Sequence, residues 1–392
     1  MAGQLALKMK IAEDIPFLKK TLDLTSSSGE ERSHSLHYIV PIPERGNPDV
    51  MAHFLKNYSR TGDLVLDPFA GSGDVALEAL LSGRCVFAVD TDPLGLRITA
   101  SKMYPADITE VTLALQMIDL RRPVELGAYL QYFAPFYDVA TFRELVNLRR
   151  YVRDHENSRV ARFIEAITLG LLHGHGAGFF SVYTGAQISI SPADQLALNA
   201  KRSQEPDYRA TIPRILRRSA VVLRDGLPSS LYQASSESRA LLSDPRNLLE
   251  LQPNSVDLVL TTPPLPNHRL YKSEMWLRRW FAGCSMKEEY PQECESVPQW
   301  LDYMNELLLE LARVTKGGRR AVFNLSDVRR KDTSLSLDEM LIKMVSQQLG
   351  RYWEAECSVE IRQKQPTLKN CLKPRENTRA SKKNVAVVLR RR

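Results

Sequence analysis

The stretch that most limits what this chain can fold into is Asp67-Pro68-Phe69-Ala70-Gly71-Ser72-Gly73, directly behind the apolar run Asp63-Leu64-Val65-Leu66. A short buried strand that ends in an acid and a glycine-rich turn is how a parallel α/β sheet presents backbone to an anionic or zwitterionic ligand. Gly71 and Gly73 admit positive φ and close backbone approach. The pattern Val75, Ala76, Leu77, Ala79, Leu80, Leu81 then begins a helix whose first amides face the same space. Far downstream, Asp257-Leu258-Val259-Leu260-Thr261-Thr262-Pro263-Pro264 has the same form, a buried strand that ends in a polar residue and two prolines.

Seven short apolar runs read as strands: 63–67, 85–90, 240–244, 257–262, 320–325, 356–361 and 384–390. Helical periods over 47–58, 74–82, 93–102, 300–314 and 335–349 lie between most of them. Such alternation predicts a doubly wound, Rossmann-like α/β fold with a seven-stranded sheet. Between Pro105 and Gln233 no strand run is clear, and helical periods recur at 139–153, 158–172 and 210–224. We read 105–233 as a helical insertion that serves as a DNA-recognition region rather than one that only packs on the sheet, with 34–104 and 234–392 forming the sheet domain and 1–33 an N-terminal segment.

The 392 residues carry a net charge of +7, unevenly spread. Residues 360–392 hold eleven Lys/Arg against two acids, and 143–224 hold thirteen against seven. Two basic regions on an otherwise acidic body suit contact with a polyanion. Arg214, Arg217 and Arg218 on one predicted helix, with Arg278 further on, are the candidate nucleic-acid contacts. No apolar run approaches the length of a membrane span, and the N-terminus lacks a signal-peptide core. Five widely spaced cysteines without a Cys-x-x-Cys pair suggest a reducing, cytoplasmic setting and no zinc site. His173-Gly174-His175 has metal-like spacing but no assignable partner, and reads as a helix terminus; no metal is expected.

The turn Asp67–Gly73 together with Thr262-Pro263-Pro264 resembles the amino-methylating DNA methyltransferases, which act on cytosine N4 or adenine N6. Leu172-His173-Gly174, Ser189-Ile190-Ser191-Pro192 and Trp276-Leu277-Arg278-Arg279-Trp280-Phe281 look like the subgroup whose motif reads Ser-Pro-Pro-Tyr-Leu-Asn. The resemblance implies S-adenosyl-L-methionine as cofactor, held by Asp67, Pro68, Phe69, Ala70, Gly71, Ser72 and Gly73. Asp90 would receive the ribose, with Thr91 after it a further cofactor-binding residue at the start of the next helix, and Asp244 the adenine amino group, unless Asp244 is a turn carboxylate. His37–Pro43 and Gly46-Asn47-Pro48 resemble the segment over the methionine end. Thr262, Pro263, Pro264 and Leu265 would form the catalytic loop, with two acceptors drawing the amine of a flipped base toward tetrahedral geometry.

Two positions depart from the family. Thr262 stands where it has Asp, Asn or Ser, and a neutral hydroxyl leans toward cytosine N4. Leu265 replaces the aromatic that stacks on the target base; His268, Tyr271 or Trp276 are the rings nearby in sequence. Adenine N6 is the alternative target. An RNA methyltransferase and a catalytically inactive nucleic-acid-binding relative are the rival classes. DNA is the expected partner, and the resemblance brings with it a restriction or defence-system partner.

Overall fold

The computed structural model describes residues 18–24, 33–42, 46–184, 188–266, 271–286, 294–330, 333–362 and 380–392. Its strands are β1 Leu18–Asp23, β2 Leu64–Asp67, β3 Cys85–Asp90, β4 Arg239–Leu242, β5 Val256–Thr261, β6 Thr315–Arg330, β7 Thr333–Leu335, β8 Trp353–Arg362 and β9 Ala380–Arg391. They form one sheet of nine strands in the order β1-β8-β9-β6-β5-β2-β3-β4, with β7 paired to β6. Pairing is parallel except where β9 meets β6 and β8, and where β7 meets β6. All seven expected strands are present, and β1 and β7 add to them. The sheet thus reaches beyond residue 34: β1 pairs in parallel with β8, from Leu18 opposite Cys357 to Asp23 opposite Arg362.

Helices α1 Pro48–Tyr58, α2 Asp74–Leu81 and α3 Pro93–Met103 follow the first crossovers. The elements described between β3 and β4 after α3 are all helical: α4 Ile108–Gln116, a π turn at Tyr129–Phe133, α5 Val139–Asp154, α6 Arg159–Leu171, α7 Pro192–Arg202, α8 Thr211–Val222 and α9 Ser229–Ser236. Beyond β5 come α10 Tyr271–Glu274, α11 Trp276–Ala282, α12 Val297–Val314 and α13 Leu337–Gln348.

Period-two side chains divide the sheet between two cores. Val65, Val86, Ala88 and Leu258 face Phe54, Leu77, Ile98 and Ile167 of α1, α2, α3 and α6. Leu66, Phe87, Val89 and Val259 face Trp300, Leu307, Leu311 and Leu341 of α12 and α13. The central strands β2, β3 and β5 are therefore buried on both faces, which is why they read as continuous apolar runs. The insertion shares the first of these cores, and α6 packs directly on the segment before α1. A Cβ at Gly170 would overlap the Ile39 carbonyl, so glycine there lets the two backbones touch.

Candidate active site

The two motif strands lie side by side. β2 pairs in parallel with β5, Val65 opposite Leu258 and Leu66 opposite Val259, so both motifs leave the sheet at its carboxyl edge. In open α/β sheets that edge is where ligands bind. Thr261 Oγ1 donates to Asp67 Oδ1 over 2.7 Å and ties the two strand ends together. Phe69 N donates to the same oxygen. Burial pushes the Asp67 carboxyl up to about 7, against the lowering effect of those two bonds.

The glycine-rich turn is held from inside. Ala70 N donates to Val89 O, Gly73 N to Ala70 O, and Gly71 N to Asp90 Oδ2 at 2.7 Å. Gly71 has φ +46° and Gly73 φ +72°, and a Cβ at Gly73 would sit 2.8 Å from Thr99 Cα. No Cβ fits there without moving backbone. Asp90 also accepts from Asp92 N, so its buried carboxylate ties the turn to the start of α3. Thr91 is half-buried between them. Asp92 caps α3 through Leu94 N and pairs with Arg279.

Behind the turn lies a buried charge cluster that sequence reasoning did not anticipate. Asp74 opens α2 and faces Lys102 Nζ at 2.9 Å and His37 Nδ1 at 2.8 Å. His37 Nε2 meets Glu78 Oε1 at 2.6 Å. Burial alone would raise the Asp74 carboxyl, but the Lys102 charge and the His37 bond hold it well below the usual carboxylate range. Three partners from separate parts of the chain leave no local period to detect, which is why they escaped notice. The expected segment over the turn thus reaches the site through His37 (Pro43 lies outside the described residues). Gly46 closes the gap: a Cβ there would lie 4.0 Å from both Asp74 Oδ2 and Thr262 Oγ1.

Thr262 is exposed, Pro263 buried, and Pro264 and Leu265 half-buried. Trp300 Nε1 donates to Pro264 O at 2.8 Å and fixes this loop, while Leu265 packs against the α12 core. Asn324 on β6, another residue not anticipated, places Nδ2 3.4 Å from Thr262 Oγ1. Its position follows from register, because Thr261 stands opposite Phe323. Of the rings proposed to replace the missing aromatic, His268 and the Tyr271 side chain lie outside the described residues. Trp276 is held in the packing, donating to Ile190 O and lying 5.5 Å from Phe133.

Asp244 is drawn into local contacts. Arg246 grips both its oxygens, with Nη2 to Oδ2 at 2.7 Å, and Arg246 N donates to Oδ1. Burial would raise this carboxyl; the Arg246 bonds and charge hold it below its ordinary value. The geometry is that of an Asx turn. Arg246 also meets Glu306 at 2.6 Å and lies 4.8 Å over the Tyr303 ring.

The candidate nucleic-acid arginines separate. Arg217 is exposed. Arg214 bonds the carbonyls of Ala177 and Ala210, and Arg218 that of Tyr38. Arg278 requires correction: it is fully buried, donating to Leu169 O and Met275 Sδ, and offers no surface to a polyanion. His173 lies just past α6, buried beside Ser189 Oγ at 3.1 Å. Burial and the Arg278 charge hold it well below the usual histidine range. No helix among the described residues is long and apolar enough to cross a membrane.

Residues 16–100 match the family model described as DNA methylase, of the N6/N4 type. A relative, the type II methyltransferase M.MjaII of Methanocaldococcus jannaschii, is 30% identical over 84 residues, 21% of this chain and 16% of its own length. The match thus spans about one sixth of that relative. Together they support the amino-methylating DNA methyltransferase family. Among solved structures, a putative rRNA methylase from Clostridium thermocellum is 8% identical at TM-score 0.34, over 90% of this chain and all of that one. The rRNA methyltransferase aviRa of Streptomyces viridochromogenes is 13% identical at TM-score 0.33, over 94% and 96%. Likeness at that level carries no argument about substrate.

Proposed function

We propose that this chain is an S-adenosylmethionine-dependent methyltransferase that methylates an exocyclic amine of DNA, cytosine N4 ahead of adenine N6. The observation that carries this reading is the pairing of β2 with β5, which brings the Asp67–Gly73 turn and the Thr262–Leu265 loop to one rim. Gly46, within reach of both Asp74 and Thr262, bridges them. In this reading the turn takes the methionine end of the cofactor. Asp90, which accepts from Gly71 N and Asp92 N, would receive the ribose hydroxyls in this reading.

An exocyclic amine is a weak nucleophile because its lone pair is delocalised into the ring. The Thr262 hydroxyl and the Pro263 carbonyl would accept its two hydrogens and return that lone pair to nitrogen. Transfer would then need nitrogen, methyl and sulfur in line, the nitrogen–methyl bond forming as the methyl–sulfur bond breaks and one amine proton leaving to water, helped by loss of the sulfonium charge. The Watson–Crick edge of a duplex base is reached only by rotation out of the stack. A hydroxyl at 262 rather than a carboxylate favours cytosine in this reading, and exposed Arg217 would meet phosphate.

The experiment is transfer of labelled methyl from S-adenosylmethionine to DNA, followed by digestion to nucleosides. Label in N4-methyldeoxycytidine is expected. Label in N6-methyldeoxyadenosine moves the assignment to adenine. Label in RNA alone, or no transfer by protein that still binds DNA, overturns the reading.

A further inference from the structure

The sheet ends at β4, and beside its outer edge lies a cleft of about 700 Å³ that shares no residue with the candidate active site. It is bounded by α3, the start of α6 and β4, and its size is ordinary for a small-molecule site. α3 runs away from the rim, and its eleven residues at about 1.5 Å each put its far end, at Tyr104, roughly 16 Å from that rim.

Two of the arginines that line this cleft are already engaged. Arg97 Nη1 meets both oxygens of the buried Glu165, and Arg159 pairs with Glu110. Arg162 and Arg239 have no such partner. Arg239 is exposed, with no side-chain hydrogen bond or ion pair among the described residues. Arg162 donates from Nη2 to Asn157 O at 3.1 Å, but its Nε is buried with no partner. Tyr104 shows that the two converge. Its hydroxyl donates to Ser238 O, next to Arg239, at 2.7 Å. Burial raises that hydroxyl, and the charges of Arg162 and Arg239 both oppose the rise. Two like charges beside one hydroxyl, one of them with a buried N–H unpaired, are a cost that an anion between them removes.

The rest of the lining says what that anion carries. Phe87, Leu96 and Leu241 form an apolar wall, and Glu156 and Glu250 stand in the same cleft without an ion pair to Arg162 or Arg239 among the described residues. A sugar phosphate leaves the apolar wall uncovered, and an alkyl phosphate leaves the carboxylates without a donor. A nucleoside phosphate meets all three, with phosphate for the guanidinium pair, ribose hydroxyls for the carboxylates and a base for the wall. We propose that this cleft binds a 5′-phosphorylated nucleoside, its phosphate held between Arg162 and Arg239 and its base laid on Leu96 and Leu241. The site is separate from methyl transfer and stands whether or not the reading of the active site holds.

The test uses uridine 5′-monophosphate, which has neither the purine of the cofactor nor the exocyclic amine of the target base. Calorimetry is expected to show one site per chain, with uridine and inorganic phosphate each bound at least about tenfold more weakly. Arg162→Gln and Arg239→Gln should each weaken the nucleotide by about tenfold. Arg239 is exposed, so its variant reports even where Arg162→Gln disturbs the start of α6. Leu96→Ala should weaken the nucleotide about threefold and leave inorganic phosphate within about twofold. Should a 5′-phosphorylated oligouridylate bind more tightly than the mononucleotide and lose that gain in Arg239→Gln, the ligand is a strand end; otherwise it is the free nucleotide. No binding of uridine monophosphate, unchanged binding in both arginine variants, or inorganic phosphate held as tightly as the nucleotide overturns the proposal.

Discussion

Thr261 and Asp67, 194 positions apart in sequence, share a 2.7 Å hydrogen bond at the carboxyl ends of adjacent parallel strands. That bond satisfies one oxygen of a carboxyl buried between two strand ends, and it is too little to offset desolvation. The Asp67 carboxyl consequently holds its proton up to about 7 in the folded chain, against 3.8 for an ordinary aspartate.

The consequence for stability has a definite sign. Between about pH 4 and pH 7 the folded chain binds more protons at Asp67 than the unfolded chain, so this residue's contribution is full below that window and is lost as pH rises through it. The span corresponds to roughly 4 kcal/mol at most, at about 1.4 kcal/mol per unit. Asp67→Asn, which stays neutral, should flatten the fall in denaturation free energy over that range. A mutant curve parallel to the wild type from pH 4 to 7 would show that Asp67 is already ionised when folded.

Gly73→Ala tests the turn by shape alone. The residue sits at φ +72°, and a Cβ would approach Thr99 Cα to 2.8 Å. Left-handed strain of about 1 kcal/mol adds to a backbone clash that side-chain rearrangement cannot relieve. Destabilisation of about 2–4 kcal/mol in urea is expected, and truncating Thr99 to Ser should not recover it. Recovery by Thr99→Ser would place the conflict in the side chain.

Thr262→Ala should lower turnover about tenfold or more while cofactor affinity stays within twofold, because in the proposed reading this exposed hydroxyl accepts from the target amine and the turn holds the cofactor. Asn324→Leu should act in the same direction more weakly, since its amide touches Thr262 Oγ1 at 3.4 Å and steadies that hydroxyl. The double mutant should lose less than the product of the two, because the residues share one contact. Full multiplicative loss in single-turnover rates would mean they act separately.

Much of this site was legible in the sequence because its two motifs are local. Each is a buried strand and a turn whose residue types are dictated by their own neighbours, so Asp67–Gly73 and Thr261–Pro264 could be placed at strand ends without knowing the partner. What escaped depends on contacts across the chain. β1 is short, charged and exposed at the sheet edge, and only its pairing with β8, more than three hundred residues later, makes it a strand. The His37–Asp74–Lys102 cluster and the Asn324–Thr262 contact have no spacing to recognise. Arg278 misled for the reverse reason: a basic residue in an arginine-rich helix reads as surface, yet backbone and sulfur acceptors let this one be buried.

The three arginines of α8 looked alike in sequence and should behave differently in solution. Arg217 is exposed, with no hydrogen bond or ion pair among the described residues. Arg218 is turned inward, its Nη2 donating to Tyr38 O beside the segment that carries His37. If α8 meets DNA, Arg217→Gln should weaken binding to all sequences and reduce the slope of log affinity against log salt by about 1, the release of one phosphate's counterions. Arg218→Gln should leave that slope alone and instead cost about 1 kcal/mol of stability through the lost bond to Tyr38. Salt titrations of binding and urea melts on the same two variants separate these roles. Equal slopes for wild type and Arg217→Gln would take α8 off the nucleic-acid surface, and a slope change confined to Arg218→Gln would mean that Tyr38 releases this arginine on binding.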